Sequence, residues 1–269
     1  MNGAKSTTQN TGGKPTLHDR EYGSLATIGI AVPQANPTVE PEMAALLPDG
    51  VSMLITRLQG SRNSSQNRLV EYLDNFGDSL EAFDTAPLDA VGYGCTATSY
   101  LIGPEEEERR LGEFSRRYGY PIVTSAQAIR EALEYLGARK MALFAPYPSW
   151  LIEASQGYWK KSGLTLTDTK TVPLDTSDTR HVYRVRTPMV LESISTLDWR
   201  EADAVVMTGT GVPTLRAIAE VARMSGKPVL SSNLCLAWSL LRKLGLSESL
   251  PAPGTGEFLF GGWSTRLRA

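Results

Sequence analysis

The chain is poor in the residues from which metal and redox sites are built. Its 269 residues include two cysteines and two histidines. Two cysteines cannot form a disulfide framework, two histidines leave little for a metal, and no CxxC or HExxH spacing occurs. Also missing are GxGxxG, GxxxxGKS, GxSxG and any workable Ser-His-Asp order, so dinucleotide, P-loop and serine-hydrolase chemistry have no footing. There is no long basic run and the formal net charge is −2, which makes nucleic acid and anionic membranes poor partners. No apolar run reaches the roughly 18 residues of a membrane span. Residues 1–22 are polar and lack the apolar core of a signal peptide. The expectation is a cytoplasmic protein with no nucleic-acid or membrane partner, whose chemistry, if any, uses no metal and no cofactor.

What is present is the composition of an ordinary globular chain, 41% hydrophobic and 21% charged. Short apolar runs at 25–32, 51–58, 89–94, 121–125, 140–145, 164–174, 203–208 and 228–232 read as strands. Helical spacing falls between them, at 39–47, 67–83, from Pro104, up to Leu136, and at 150–161, 189–197, 214–225 and 234–244. Strands alternating with helices argue for α/β architecture, with mainly parallel sheets flanked by helices. The acidic run after Pro104 reads as a solvated helix start rather than a metal site.

One stretch recurs. Asp89-Ala-Val-Gly-Tyr-Gly-Cys95 returns as Asp203-Ala-Val-Val-Met-Thr-Gly209, both ends shifted by the same interval (203 − 89 = 209 − 95 = 114). Residues 121–128 are echoed by 228–235. The repeat predicts two pseudosymmetric lobes facing each other, with Cys95 and Gly209 on opposite walls of one cleft. The expected division is a mobile tail over 1–22, a first lobe over 23–120 completed by 230–250, a second lobe over 121–229, and a surface tail over 251–269.

The repeat also separates the two cysteines. Cys235 aligns with Ala128 inside a helix, where a thiol is core filler. Cys95 follows a strand and precedes Thr96, at a helix N-terminus or amide nest that lowers a thiol pKa and makes a nucleophile or proton carrier. A buried, inert thiol is the alternative. Thr96, Thr98, Ser99, Thr208 and Thr210, with Gly209 and Gly211, supply hydroxyls and N–H groups that bind carboxylates or an oxyanion, or else simply cap helices. Asn36, held extended before Pro37, either aims its amide past the strand or bonds its own backbone. Tyr147, between two prolines, is a rigidly presented phenol.

At these motifs the sequence resembles the aspartate/glutamate racemase superfamily, in its maleate cis-trans isomerase and arylmalonate decarboxylase branch, over about residues 25–245. In that family each lobe contributes one position to a central site. Racemases and maleate isomerases have Cys at both; arylmalonate decarboxylases keep only the second-lobe Cys. Cys95 matches the first position and Gly209 the second, the mirror of the decarboxylase arrangement. The segment 33–40 looks like the isomerase loop whose Asn binds a substrate carboxylate, Ser231-Ser232-Asn233 is isomerase-like, and 211–218 resembles the decarboxylase segment as well. The resemblance implies catalysis at Cys95 and Gly209, the latter marking the missing second thiol. It implies substrate binding at Asn36, Thr96, Ala97, Tyr147, Thr210 and Gly211, and a homodimer or higher homo-oligomer.

The missing thiol disfavours two-base racemisation unless His181 or Tyr183 supplies the second acid or base. The reading is therefore a cofactor-independent lyase or isomerase of a small carboxylic or dicarboxylic acid, working through one thiol and an enediolate pocket. The alternatives are a Cys-dependent hydrolase of a small amide or lactam, or a non-catalytic small-acid binding protein. If the cysteines divide this way, Cys235→Ala leaves kcat/KM largely intact, whereas lost catalysis in a normally folded Cys235→Ala protein would refute the division.

Overall fold

A computed structural model describes residues 20–173, 176–247 and 256–267. The tail expected over 1–22 lies outside these residues as far as residue 19. The runs read as strands form two parallel sheets. The first contains β1 (Ala26–Pro33), β2 (Val51–Leu58), β3 (Ala90–Tyr93) and β4 (Ile122–Thr124), in the order β2-β1-β3-β4. The second contains β5 (Lys140–Phe144), β6 (Thr165–Lys170), β7 (Ala204–Met207) and β8 (Val229–Ser231), in the order β6-β5-β7-β8. Every residue of β1, β3 and β7 is buried, as strands covered on both faces must be.

The internal repeat is the repeat of this topology. The first residues of β1 and β5 (26 and 140), β2 and β6 (51 and 165), and β3 and β7 (90 and 204) all stand 114 apart. The aspartate that opens each copy does the same work in both. Asp89 accepts the Thr27 N–H at 2.7 Å, and Asp203 accepts the N–H groups of Arg139 and Lys140 at 2.8 Å each. Each carboxylate thus pins the start of its sheet's first strand to the start of its third.

The helices are α1 (Val39–Leu46), α2 (Ser65–Asp74), α3 (Phe76–Glu81), α4 (Thr96–Ile102), α5 (Pro104–Tyr118), α6 (Ser125–Tyr135), α7 (Ser149–Lys161), α8 (Thr187–Ile194), α9 (Leu215–Ser225) and α10 (Ser232–Lys243). The single helix expected over 67–83 is two, broken at Asn75, which leaves helical geometry (ψ 12°) to close α2 and open α3. Asn75 and Gly77 are both weak helix formers, so the break falls where continuation gains least. α5 follows the macrodipole: Pro104 and three glutamates open it, and Arg116 and Arg117 close it.

Two expectations about boundaries change. β4 pairs with β3, so the first sheet runs past the boundary placed at 120. The echoed segments 121–128 and 228–235 each supply the fourth strand to the sheet before them, and the helices that follow, α6 and α10, pack against each other. α10 also covers the first sheet: a Cβ on Gly92 of β3 would lie 3.0 Å from Leu240 and 3.3 Å from Leu236. The C-terminal segment, read from its prolines and glycines as a surface tail, buries Leu259, Phe260 and Trp263. Arg266 then donates to the carbonyls of Ala45 and Leu46 at 2.8 and 3.1 Å, closing the end of α1. Residues 251–255 and 268–269 lie outside the described residues. Three large apolar side chains outweigh the chain breakers around them. Trp263→Ala is expected to cost about 3–5 kcal/mol, read from the denaturant midpoint; a loss under about 1 kcal/mol would mean the segment is not part of the core.

Candidate active site

The central strands β1, β3, β5 and β7 all deliver a loop to one pocket at their carboxyl ends, the place where open α/β sheets bind ligands. Pro33 comes from β1, Cys95 from the end of β3, Tyr147 from β5 and Gly209 from β7. The pocket also takes in Asn36, Thr96, Ala97, Thr210 and Gly211, so the eight positions implied by the family resemblance line one cavity, while Thr98, Ser99 and Thr208 do not. Its volume is about 40 Å³, enough for about three waters. Tyr183 lines the cavity; His181 does not.

Cys95 is 4% exposed and immediately precedes α4. The N–H groups of Ala97 and Thr98 and the Arg68 guanidinium favour its charged form, as the sequence led one to expect. Burial opposes them and is larger, so the thiol stands above its ordinary pKa, which corrects the expectation of a lowered one. The Thr98 hydroxyl also opposes that rise, but from a distance: Thr98 Oγ1 lies 3.6 Å from Cys95 Sγ and only 2.7 Å from the Leu69 carbonyl, and it accepts the Tyr93 hydroxyl at 3.0 Å. Burial therefore keeps Cys95 as an S–H group.

In the same pocket, Thr96 Oγ1 and Tyr147 Oη lie 2.9 Å apart. Burial pushes the Tyr147 phenol up to about 12, so it stays protonated at neutral pH. The pair belongs to a cluster of hydroxyls that also includes Thr208 and Tyr100, and both of its members line the pocket. Asn36 satisfies both readings of its sequence. Its Oδ1 accepts the N–H groups of Thr38 (2.9 Å) and Val39 (3.2 Å) at the head of α1, and its Nδ2 crosses to Thr210 Oγ1 at 3.1 Å. Thr210 Oγ1 in turn donates to the Gly94 carbonyl at 2.8 Å. Thr208 serves behind the pocket, donating to the Phe144 carbonyl.

Gly209 has φ +99°, a conformation that strains any L side chain, and its N–H is taken by Ser232 Oγ at 3.1 Å. The second wall is therefore bare by backbone geometry as well as by composition. Gly211 permits close approach: a Cβ there would lie 2.6 Å from the Tyr183 ring. Burial pushes the Tyr183 phenol well up, so it is a poor base at neutral pH.

The sequence reading missed Arg68, Leu69 and Tyr72 of α2, which form one side of the pocket. Their signal was available. Ser65, Arg68, Tyr72 and Phe76 follow at helical spacing, so a cation sits on a stripe that is otherwise turned inward. Arg68 is 4% exposed.

Fold and pocket together define a two-lobed enzyme of the aspartate/glutamate racemase type, with one thiol in its cleft. The sequence model of the arylmalonate decarboxylase (Amdase) family matches residues 28–259, and the chain belongs to that family. It is 31% identical over 243 residues to the maleate isomerase of Geobacillus stearothermophilus, covering 85% of this chain and 95% of that one. It is 25% identical over 240 residues to the arylmalonate decarboxylase of Bordetella bronchiseptica, covering 88% and 98%. Among solved structures it is similar to a maleate cis-trans isomerase of Nocardia farcinica with TM-score 0.75 and 27% identity, over 91% of this chain and 99% of that one. That protein is a variant with one cysteine replaced by serine, and it holds a covalently bound succinylcysteine intermediate. These relationships fix the branch of the superfamily that the motifs pointed to. Among the described residues no helix is long and apolar enough to cross a membrane.

The state of the thiol is open to direct measurement. Alkylation of Cys95 by iodoacetamide, followed by peptide mass spectrometry, is expected to accelerate with an apparent pKa above the ordinary value of about 8.5. A rate already at its plateau at pH 7 would show a preformed thiolate and contradict the dominance of burial over the surrounding donors.

Proposed function

We propose that the protein is a cofactor-independent decarboxylase of a small malonate-type acid, with the Cys95 thiol as its proton donor. The observation that carries this reading is the single protonated sulfur, with Gly209 and no second thiol at the matching position of the other lobe. The relatives are maleate isomerases and an arylmalonate decarboxylase, so a small carboxylic acid is the class of substrate their names support.

In the proposed reaction one carboxylate leaves as CO₂ and the C–C bond pair passes into an enediolate on the carboxylate that remains. The Thr96–Tyr147 hydroxyl pair donates to that enediolate as charge develops. Cys95 Sγ–H then gives its proton to carbon, forming the C–H bond. The sulfur, left as a thiolate in a buried site that disfavours charge, recovers a proton from solvent. The sum is one proton consumed and one CO₂ released. Two-base racemisation has no second thiol, and Tyr183, the other ionisable group singled out for the role, stands with its phenol pushed up.

Cis-trans isomerisation is the second reading. The 31% identity to a maleate isomerase favours it. So does the covalent cysteine intermediate formed in a relative from which another cysteine has been removed. In that reaction Cys95 would add to the double bond, the central bond would rotate and the thiolate would leave.

Incubation with maleate and a series of alkyl and aryl malonates, followed by NMR and CO₂ release, separates the two. The expected result is CO₂ from a small malonate and no fumarate from maleate. Cys95→Ala is expected to lower that rate by at least about 100-fold. Fumarate formation would establish the isomerase reading, and a Cys95→Ala enzyme that keeps most of its activity would end both.

A further inference from the structure

Among the described residues that line the active-site pocket, Arg68 alone carries a permanent charge, and no carboxylate lines the cavity with it. Its side chain is 5% accessible. The other ionisable groups around Cys95 are the phenols of Tyr72, Tyr93, Tyr147 and Tyr183, each pushed up by burial and so neutral. The helix that carries Arg68, α2, packs against α4, which begins at the residue after Cys95. Thr98 Oγ1 of α4, 2.7 Å from the Leu69 carbonyl, fastens the two helices together. The Tyr72 phenol, one turn along α2, interacts with both the Arg68 guanidinium and Cys95.

A buried cation calls for an anion, and Arg68 has a small share of one. Its Nη2 reaches Asp178 at 3.2 Å, and its other bonds from that nitrogen go to the neutral hydroxyls of Ser65 (3.1 Å) and Thr179 (3.2 Å). The more exposed Arg180 takes the rest of Asp178, with Nε at 2.9 Å, Nη2 at 2.6 Å and its backbone N–H at 3.0 Å. Those contacts hold the Asp178 carboxyl well below the ordinary carboxylate range, so it is always charged. Asp178 lines the adjoining hollow of about 500 Å³, whose wall Arg68 shares, and does not line the pocket. The charge of Arg68 is therefore only partly cancelled, and from the far side of the wall that Cys95 faces into.

We propose that Arg68 is the counter-ion of the thiolate that Cys95 becomes on giving up its proton, and that Asp178 sets how much of that positive charge reaches the pocket. Both are positioning residues that act through the sulfur. When the S–H bond breaks and the C–H bond forms, the S–H electron pair stays on sulfur as a negative charge. Arg68 offsets that charge in the buried wall until a proton from solvent restores the S–H bond. Asp178, divided between two guanidinium groups, leaves Arg68 part of its charge; a carboxylate given wholly to Arg68 would cancel it. This inference rests on the decarboxylase reading for the step that makes the thiolate.

The test is the pH–rate profile of Cys95 alkylation by iodoacetamide, read by peptide mass spectrometry. Access to the sulfur scales the whole profile, whereas the midpoint reports the charge around it. In Arg68→Met the midpoint is expected to rise by about one pH unit, or about tenfold slower alkylation at a fixed pH below it. Arg68→Lys, which keeps the charge and loses the fork, should bring back most of that change. In Asp178→Asn the midpoint is expected to fall by about half a pH unit. Asp178→Asn added to Arg68→Met is expected to change nothing further, because Asp178 acts through Arg68. CO₂ release from a small malonate needs the S–H form and is lost as pH rises through the midpoint, so its alkaline limb should move up with Arg68→Met.

An unmoved midpoint in Arg68→Met, no recovery in Arg68→Lys, or an Asp178→Asn effect that persists without Arg68 would overturn the proposal. Should Arg68→Met fail to fold, Arg68→Gln, neutral but able to bond Ser65 and Asp178, takes its place. A midpoint unmoved in Arg68→Gln, or raised in Asp178→Asn, overturns the proposal as well. Midpoints that move as expected in a protein that releases no CO₂ keep the coupling of Arg68 to Cys95 and lose the decarboxylase reading. CO₂ release with midpoints that stay in place loses this inference alone.

Discussion

The active site depends on a strap of buried hydrogen bonds that ties the loop after β7 to the strand ends of the first lobe. Asn36 Nδ2 reaches Thr210, Thr210 reaches the Gly94 carbonyl, and Thr38 Oγ1 donates to the Gly211 carbonyl at 2.9 Å. Behind them Glu42 is the anchor. Its Oε1 accepts the Thr214 and Leu215 N–H groups at 2.6 and 3.0 Å, and its Oε2 accepts Asn233 Nδ2 at 2.8 Å. Asn233 also donates to the Thr210 carbonyl. Burial raises the Glu42 carboxyl and these donors oppose that rise. A buried carboxylate with such partners is costly to disturb, because removing a donor leaves charge unpaired. The strap fixes where Gly209 stands relative to Cys95, and so gives the two lobes one site.

Within that frame the two walls differ in kind. One carries a thiol that burial keeps protonated against the nearby donors. The other carries a glycine in a left-handed conformation, with no acid to offer. A site with one acid and one bare wall handles protons from a single direction. The small cavity and the buried Arg68 complete the pocket: little free space, and a cation in the wall formed by α2.

Much of this was legible in the residues themselves. The strands are apolar runs bounded by turn formers, and a one-face or two-face covering decides which are continuous, as β1 is. The interval of 114 between Cys95 and Gly209 announced the repeat of the first three strands, whose starts keep that spacing in both sheets (26 and 140, 51 and 165, 90 and 204). Three things were not legible. The fourth strand of each sheet could be assigned to either lobe, since sequence order does not say which neighbour a three-residue strand pairs with. The thiol's pKa depends on how much protein closes over it, and a helix N-terminus alone gives the opposite sign. Arg68 reads in isolation as one of many solvated arginines, and becomes part of the site only when residues about 110 positions later, Asp178 and Thr179, fold over it.

The central claim is that one sulfur delivers the proton from one face. It is tested most directly by the stereochemistry of turnover in D₂O with a malonate that yields a chiral product. The account predicts a single enantiomer carrying one deuteron at the carbon that lost CO₂. A racemic product would contradict it, because protonation would then be coming from solvent or from a second group on the opposite wall.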